Sequence, residues 1–597
     1  SRTFAINPPF FLKINMSTQL LDKVRYWSEH QCFDSETREH AKRMLQENNQ
    51  KEIEECFKNV LEFGTGGLRG PMGIGTNRMN RYTVMQATEG LARVIEAQGS
   101  GSKNGNSYAG VVIGYDSRNQ SKQFAEAAAE VLCAHKIQVF LFSEIAPTPL
   151  VSCELIRRSA QAAVIITASH NPPSDNGYKV YWSHGGQIIP PVDEAIIQEV
   201  KKISRIEEIP YMELSEAKKT GLLQYIGEES DQYYIDLVAP MALGSKDANK
   251  KLGVIYSPFH GTGGRMVPKL LELRNFERLK TVSEQMVPNG DFPTLPSPNP
   301  EDPKAFGLAL EKANDDDDMI LTNDPDADRL GVMVRGKNRN WQWLNGNLIG
   351  VLLLDQMLSS LQKTGGLPPN GVLVTTIVTS PLMTKVARFY GLEVIQTLTG
   401  FKWIRDAALR AEQSGKQFIF GMEESHGYLC GNHTGDKDGV WAAMAFAELG
   451  ASLKAEEKTP FDQLDLIYQR HGNHLDSLFT ISHPGEEGKQ KIFRMIEDLR
   501  QNPPSTFGGL RCLKRVDVLN NIETDLLTRS ERPGPGLPSS NVLILEMEKG
   551  NRIIARPSGT EPKIKFYFNL NGDEMPVLED KLKRIKQELQ EFQQQSG

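Results

Sequence analysis

The sequence predicts an α/β protein with several domains, in which tandem strand–helix units precede a C-terminal α+β domain. Its 597 residues are too many for a single hydrophobic core. Apolar, strand-like runs alternate with helical segments in three successive stretches, the pattern of βαβ units. The composition changes near residues 482–488, and the strand candidates beyond it, Val542–Met547 and Arg552–Ala555, are short and suit an antiparallel sheet.

Composition and charge narrow the class of protein. The formal net charge is −7, so no large basic excess indicates nucleic-acid binding. Six scattered cysteines form no C-x-x-C pair, which argues against a zinc site or a disulfide framework and predicts a cytoplasmic protein. No apolar run reaches the ~20 residues of a membrane span. Residues 1–15 lack the apolar core of a signal peptide, and we expect the natural chain to begin at Met16.

The first strand–helix unit follows a helical lead-in. Residues 20–60 interleave charged and apolar residues at helical spacing, and strand candidates at 108–116 and 139–143 flank a predicted helix at 123–135. Before this unit, the glycine-rich segment 64–70 would let the backbone approach an anion while Arg69 binds it. Taken alone, the segment is more simply interpreted as an ordinary glycine loop.

A polar hexapeptide, Thr167–Pro172, follows the apolar run Ala162–Ile166, which we interpret as a buried parallel strand. Open α/β sheets bind ligands at the carboxyl ends of such strands. The prolines that follow end regular structure, which would leave Ser169 on a fixed loop facing a cleft. Ser169 is a candidate nucleophile, with His170 or Lys179 managing its proton. Alternatively, Ser169 caps the next element and Lys179 is a solvated lysine.

Three aspartates at alternate positions, Asp324, Asp326 and Asp328, follow a second apolar run, Met319–Leu321. Carboxylates spaced in this way can converge on one hard cation. Mg²⁺ suits such an oxygen site, because it keeps positions open for water or phosphate. The alternative is a solvated acidic turn, which is our interpretation of the preceding Asp315–Asp318.

The strand–helix pattern recurs twice more. A strand at 251–257 begins the second unit, and a strand at 371–377 with a helix at 383–390 begins the third. In the third unit, the strand Phe418–Phe420 leads to Glu423 and Ser425, whose carboxylate and hydroxyl groups suit hydrogen bonds with vicinal sugar hydroxyls. The next residue, His426, is either a proton relay that titrates near neutral pH or a structural histidine.

The last domain contains the components of a phosphate cradle. Arg556–Thr560 combines a guanidinium, two hydroxyls and backbone N–H groups in a glycine turn, and Lys563 adds charge. A plain Pro-Ser-Gly turn is the alternative if the segment is considered alone. The tail, Met575–Gln594, predicts an amphipathic helix that closes the domain.

Four of these segments occur in the order found in α-D-phosphohexomutases, and the chain resembles that superfamily over most of its length. They are the serine loop (Thr167–Pro172), the metal loop (Asp324–Arg329), the sugar loop (Glu423–Gly427) and the phosphate segment (Arg556–Lys563). The resemblance implies three tandem α/β domains with mixed sheets and a C-terminal α+β domain, arranged around one central active-site cleft. The expected boundaries are 1–50 for the lead-in, 51–230, 231–345 and 346–480 for the α/β domains, and 481–597 for the last domain.

The resemblance also implies roles for individual residues. Ser169 would carry a phosphoryl group and contact Mg²⁺ held by the three aspartates, and His170, Lys179 and Arg69 would act in catalysis. The positions implied to bind a sugar phosphate are Thr65, Arg69, Arg329, Thr399, Lys402, Glu423, Ser425, His426, Arg556, Ser558, Gly559, Thr560 and Lys563. Met422 stands where the superfamily usually has glycine, which leaves the preferred sugar open.

The implied reaction interconverts glucose 1-phosphate and glucose 6-phosphate, with glucose 1,6-bisphosphate as activator and intermediate. Within the superfamily, the alternatives are a mannose or pentose phosphate substrate, or net synthesis of glucose 1,6-bisphosphate. A non-catalytic sugar-phosphate-binding protein is the alternative from another class, and a phosphatase with an aspartate nucleophile is disfavoured by the serine loop. The partners expected are sugar phosphates, without nucleic acid or membrane, and the protein is expected to be a monomer or homodimer.

Overall fold

A computed structural model of the chain describes residues 18–63, 67–99, 110–483, 485–558 and 562–595. The sequence predictions for residues 1–15, Thr65, Gly559 and Thr560 lie outside these ranges. Three α/β domains built on mixed sheets are followed by a C-terminal domain with an antiparallel sheet and packed helices. This confirms the predicted fold class of three tandem α/β domains and an α+β domain. Among the described residues, no helix combines the length and apolar character needed to cross a membrane.

The first domain is a six-stranded sheet with helices on both faces. Its sheet order is β1-β5-β4-β2-β3-β6, in which β1 and β5 are antiparallel to their neighbours. Its elements are α1 (Thr18–Glu29), α2 (Ser35–Gln46), α3 (Gln50–Phe57), β1 (Gly67–Pro71), α4 (Arg81–Gly99), β2 (Val111–Tyr115), α5 (Ser121–Ala134), β3 (Val139–Phe142), α6 (Thr148–Arg157), β4 (Ala162–Ile166), β5 (Asp175–Trp182), α7 (Val192–Lys201), α8 (Leu214–Lys219), β6 (Leu223–Ile226) and α9 (Glu228–Val238).

The predicted helical lead-in consists of three short helices, because Asp34 and Asn49 cap new helices at α2 and α3. These helices pack on the first sheet rather than standing apart from it. Trp27, Phe33 and Phe57 are buried in the same apolar cluster as the strands of the domain.

The second domain has five strands in the order β11-β10-β9-β7-β8, and the third has four in the order β13-β12-β14-β15. The second comprises α10 (Lys246–Asn249), β7 (Val254–Ser257), α11 (Gly263–Leu273), β8 (Leu279–Thr281), α12 (Ser283–Met286), α13 (Gly307–Lys312), β9 (Met319–Thr322), β10 (Gly331–Arg335) and β11 (Trp341–Leu344). The third comprises α14 (Gly346–Thr364), β12 (Gly371–Thr376), α15 (Pro381–Phe389), β13 (Glu393–Thr397), α16 (Phe401–Gln413), β14 (Gln417–Glu423), β15 (Gly427–Cys430), α17 (Gly439–Ala455) and α18 (Pro460–His471).

The last domain is an antiparallel sheet in the order β16-β23-β22-β21-β18-β19-β20, with β17 paired to β18. Two long amphipathic helices pack against this sheet through their apolar faces, which carry the buried residues Ile496, Leu578 and Ile585. Its elements are β16 (Asn473–Ser482), α19 (Gly485–Gln501), β17 (Thr506–Phe507), β18 (Leu510–Asp517), β19 (Ile522–Asp525), β20 (Glu531–Pro533), β21 (Leu543–Met547), β22 (Arg552–Pro557), β23 (Lys563–Gly572) and α20 (Met575–Gln595).

Most strands and helices singled out in the sequence lie within three residues of their expected bounds. The strand expected from residue 251 begins at Val254 instead, because residues 250 and 251 form a turn that follows α10. The helix expected from residue 383 begins at Pro381, since Ser380 caps it and proline is well tolerated in the first helical turn.

Candidate active site

Ser169 lies on the loop that follows β4, at the carboxyl edge of the first sheet. It is buried and its φ is +52°, a left-handed conformation that is unusual for a residue other than glycine. Its backbone N–H donates to Thr167 Oγ1 at 2.8 Å. Its hydroxyl donates to Asp324 Oδ2 at 2.6 Å, and His170 Nδ1 lies 3.1 Å from the same oxygen. The serine loop of the first domain therefore touches the metal loop of the second.

The metal loop follows β9 and brings its three aspartates together. Ligand oxygens of Asp324, Asp326 and Asp328 lie within 4.8 Å of one another, and all three side chains are buried. Burial, and then the charges of Asp328 and Asp326, raise the pKa of Asp324 well above its ordinary value. A turn at Ala327, whose φ is +53°, reverses the chain so that alternate side chains converge. The loop is a buried anionic centre, not a solvated turn.

Lys179 supplies the positive charge closest to this centre. Its Nζ donates to Asp326 Oδ2 at 2.8 Å and lies 3.7 Å from Asp328 Oδ2. Burial alone would raise the pKa of Asp326, but the charge of Lys179 and the hydrogen bonds from Lys179, Asp324 and Thr148 together lower that pKa. Lys179 lies on β5 opposite Ile165 of β4, so the antiparallel pairing places it beside the serine loop. It is a buried, paired lysine and not a solvated one.

A second buried lysine, which sequence analysis did not single out, completes the charge arrangement. Lys437 Nζ lies 3.2 Å from Asp436 Oδ1, 3.3 Å from Asp328 Oδ2 and 3.6 Å from Glu423 Oε1. These three carboxylates raise the pKa of Lys437 well above its ordinary value, although burial opposes the rise. The Lys437 ammonium is therefore shared between Asp328 of the metal loop and Glu423 of the sugar loop.

The sugar loop and the phosphate segment face each other across a cleft of about 420 Å³. Residues from all four domains line the cleft, and the predicted ones among them are His170, Arg329, Thr399, Lys402, Glu423, Ser425 and Arg556. Lys402 is 6% exposed and burial lowers its pKa. Glu301, Glu424, Lys565 and Tyr567 also line the cleft and were missed, because a single charged or aromatic residue in a turn or on a strand carries no sequence signal of its own.

The remaining predicted residues lie around this cleft. Arg69 is exposed and its guanidinium donates to Asn171 Oδ1 at 3.4 Å, next to the serine loop. Arg329 pairs with Glu301, and its Nε lies 4.0 Å from Asp324 Oδ2. The Ser558 N–H donates to the Lys563 carbonyl at 2.8 Å, which closes the phosphate segment.

His426 occupies a different position from the one expected of a proton relay in the cleft. It is 2% exposed, its Nδ1 lies 2.9 Å from the Leu330 carbonyl, and it lines a neighbouring chamber of about 380 Å³. Burial lowers the pKa of its imidazole. Of the two interpretations of His426, the structure favours a histidine that joins the sugar loop to the end of the metal loop.

Comparison with known proteins identifies three consecutive domains of one family. The phosphoglucomutase/phosphomannomutase α/β/α domain I matches residues 60–207, domain II matches residues 232–337, and domain III matches residues 345–470. A phosphoglucomutase of Staphylococcus epidermidis is 34% identical over 541 residues, which are 90% of this chain and 95% of that protein. The chain belongs to the phosphoglucomutase/phosphomannomutase family.

Solved structures related to this family share the fold. The pp63/parafusin phosphoglucomutase of Paramecium, in an open form, is 19% identical with a TM-score of 0.65, covering 90% of this chain and 94% of that one. A phosphoglucomutase/phosphomannomutase family protein of Burkholderia thailandensis is 16% identical with a TM-score of 0.63, covering 89% and 97%. At these identities the likeness concerns the fold alone.

Within this family fold, Met422 does not face the substrate side of the sugar loop. The residue is fully buried on β14 and its thioether packs against Gly350 of α14, where a Cβ would meet the sulfur at 2.3 Å. The methionine that replaces the family's usual glycine is therefore accommodated by a glycine on the neighbouring helix. The cleft-facing positions, Glu423 and Ser425, are unaffected by this exchange.

Proposed function

We propose that this protein is a phosphoglucomutase, which interconverts glucose 1-phosphate and glucose 6-phosphate through glucose 1,6-bisphosphate with Ser169 as the phosphoryl carrier. The contact between Ser169 Oγ and Asp324 Oδ2, 2.6 Å long, carries this proposal. It joins a nucleophile to a metal-binding loop beside a cleft with sugar-binding and phosphate-binding side chains. The relative with 34% identity, named phosphoglucomutase, supports the same reaction.

The proposed reaction has two phosphoryl transfers at Ser169. In the first, the bond from Ser169 Oγ to phosphorus breaks as a bond forms from phosphorus to the 6-hydroxyl oxygen of glucose 1-phosphate. That hydroxyl loses its proton and Ser169 Oγ takes one up. In the second, after the bisphosphate has turned around, the bond from the sugar O1 to phosphorus breaks as phosphorus bonds to Ser169 Oγ, which loses its proton while O1 gains one. His170 Nδ1, 3.1 Å from Ser169 Oγ, is the base placed to exchange a proton with that oxygen.

The three aspartates fit a divalent cation, which we propose to be Mg²⁺. Within the described part of the chain, Oδ1 of Asp326 and Oδ1 of Asp328 are buried without a hydrogen-bond partner. Lys179 and Lys437 hold the Oδ2 atoms of these residues, so the Oδ1 atoms are left to coordinate a metal. An oxygen-only donor set suits Mg²⁺, which when bound neutralises charge on the transferring phosphoryl group.

The far side of the cleft would hold the sugar and its second phosphate. We propose that Glu423 accepts hydrogen bonds from sugar hydroxyls and that Ser425 exchanges hydrogen bonds with them. Arg556 and Ser558 would bind the phosphate that is not reacting. Lys402 has a buried Nζ with no hydrogen-bond partner among the described residues, which fits a donor awaiting an anionic ligand. Because either end of the bisphosphate must reach Ser169, this side has to accept both phosphates in turn.

A coupled assay tests the proposal directly. Purified protein with Mg²⁺ and a trace of glucose 1,6-bisphosphate is given glucose 1-phosphate, mannose 1-phosphate or ribose 1-phosphate, and the three kcat/KM values are compared. We expect glucose 1-phosphate to give the highest value. A higher value for mannose or ribose phosphate would retain the mechanism and reject the substrate, and no turnover with any of them would favour a non-catalytic sugar-phosphate-binding protein.

The proposal also covers the ligands, the cellular compartment and the oligomeric state of the protein. Its partners would be sugar phosphates, and its six cysteines are all unpaired, which fits the reducing cytoplasm that the sequence predicts. A monomer or a homodimer remains the prediction for the assembly. Size-exclusion chromatography with light scattering measures it.

A further inference from the structure

Arg118, at the carboxyl end of β2, makes an unusual set of contacts with the serine loop. Its Nη2 donates to the carbonyls of Ser169 at 2.6 Å and Asn171 at 2.5 Å. Its Nη1 donates to the carbonyls of Pro172 at 2.7 Å and Asp175 at 3.0 Å. Four backbone carbonyls of one seven-residue segment, 169–175, therefore converge on a single buried guanidinium.

The charge of Arg118 is compensated by Asp116, which contacts the guanidinium on the side away from the four carbonyls. Its Nε lies 3.4 Å from Asp116 Oδ2, and the guanidinium stacks over the Phe292 ring at 5.1 Å. Asp116 is itself fixed, because its Oδ1 accepts hydrogen bonds from the Arg118 N–H at 2.9 Å and from Ser121 Oγ at 2.7 Å. The arginine is thus held from below while its four terminal N–H groups point at the loop.

These contacts exclude a direct role for Arg118 in substrate binding. A guanidinium has five N–H donors and no acceptor. Carbonyls take the four terminal donors of Arg118. The fifth, Nε–H, is buried 3.4 Å from Asp116 Oδ2 without forming a hydrogen bond there, so no donor of this side chain is open to a phosphate. A lysine could not reproduce the arrangement, because its three donors diverge from one nitrogen and cannot span four carbonyls.

We infer that Arg118 is a positioning residue that holds Ser169 in its left-handed conformation and so directs Oγ toward Asp324 for both phosphoryl transfers. The left-handed conformation costs a residue with a side chain roughly 1–2 kcal/mol, so it requires support from its surroundings. The bond from Arg118 Nη2 to the Ser169 carbonyl supplies that support at the strained residue itself. The catalytic part of this inference depends on the proposed mutase function.

The test separates kcat from KM in Arg118→Lys and Arg118→Met. We expect kcat with glucose 1-phosphate to fall about 100-fold in each, since a misplacement of the nucleophile by about 1 Å costs this much. KM should stay within about threefold, because the side chains proposed to bind sugar and phosphate, Lys402, Glu423, Ser425 and Arg556, lie on the third and fourth domains. An unchanged kcat, or a loss confined to KM, would overturn the inference.

Chemical rescue and a matched arginine distinguish positioning from general stability. In Arg118→Gly, added guanidinium ion should raise kcat at least about tenfold, whereas equal concentrations of sodium ion should not. Arg405 is the control, because it is also buried and donates to a backbone carbonyl, that of His184, but lies away from the serine loop. Arg405→Met should lower the melting temperature without a comparable loss of kcat. A loss of kcat in Arg405→Met as large as that in Arg118→Met would contradict a specific role for Arg118.

Hydrogen exchange makes the inference testable even if the proposed function fails. Peptides covering residues 166–175 should exchange faster in Arg118→Lys than in the unmodified protein, and Arg405→Met should leave these peptides unchanged. Absence of mutase turnover in the unmodified protein would reject the proposed function alone. Unchanged exchange in Arg118→Lys would reject the positioning role alone.

Discussion

Lys437 Nζ lies 3.3 Å from Asp328 Oδ2, and this contact joins the third domain to the metal loop of the second. Two glycines make the approach possible. A Cβ at Gly427 would lie 2.1 Å from Lys437 Cδ, and a Cβ at Gly439 would lie 2.5 Å from the Arg329 carbonyl. Gly427 therefore leaves room for the Lys437 side chain, and Gly439 lets the backbone that follows Lys437 pack against the metal loop. The charge of Lys437 is shared by carboxylates that would otherwise repel one another.

Replacing this lysine should be costly to stability. Lys437→Met removes a buried cation from three carboxylates, and we expect the free energy of unfolding to fall by about 3–5 kcal/mol in urea titration. Lys337→Met is the matched control, since Lys337 pairs with Asp465 at the surface and such exposed pairs contribute little to stability. Equal losses in the two variants would show that Lys437 is not a structural counterion.

Removing the nucleophile should abolish turnover without disturbing binding. Ser169→Ala is expected to lower kcat by at least about 10³-fold, because no other residue would carry the phosphoryl group. Its melting temperature and the calorimetric affinity for glucose 1-phosphate should remain close to those of the unmodified protein, since the residues proposed to contact sugar and phosphate lie on the third and fourth domains. Retained turnover in this variant is the result that would exclude a phosphoserine at position 169.

The positions of Ser169 and Asp324 after buried strands were predictable, because open α/β sheets carry their ligand-binding residues at the carboxyl ends of strands. Their meeting was not predictable from strand order, since β4 and β9 belong to different sheets, and only the resemblance to the superfamily implied it. Arg118 and Lys437 were not predictable in the same way. Arg118 acts on a loop about fifty residues later in the chain, and the carboxylates around Lys437 come from two different domains. A lone lysine or arginine is usually solvated, so only the folded arrangement reveals that these two are buried and paired.

Neutralising one aspartate should separate metal binding from folding. Asp324→Asn removes one of three mutually repelling carboxylates, yet its Oδ1 can still accept the Arg329 N–H, which lies 3.1 Å away. In differential scanning fluorimetry without metal, we expect this variant to melt no lower than the unmodified protein. Added Mg²⁺ should raise the melting temperature of the unmodified protein only. A similar rise in both would place the metal elsewhere.

Glu424 should make stability depend on pH near neutrality. Burial, and then the charge of Glu423, raise the pKa of Glu424 to about 7 from its model-peptide value of 4.5, and Thr376 Oγ1 donates to it at 3.1 Å. The folded state therefore holds a proton that the unfolded state releases between pH 4.5 and 7. By linkage, this contribution to stability is complete below pH 4.5 and is lost as pH rises to about 7.

Glu424→Gln should remove that dependence, because an amide does not titrate. Between pH 4.5 and 8, the unmodified protein should lose about 1–3 kcal/mol of unfolding free energy relative to this variant in urea titrations. Asp476→Asn should likewise remove a loss of unfolding free energy with rising pH. That loss should be complete at a lower pH than the loss due to Glu424, since burial raises the pKa of Asp476 only to about 6. A difference between the unmodified protein and Glu424→Gln that stays constant from pH 4.5 to 8 would mean that Glu424 is already ionised in the fold throughout this range.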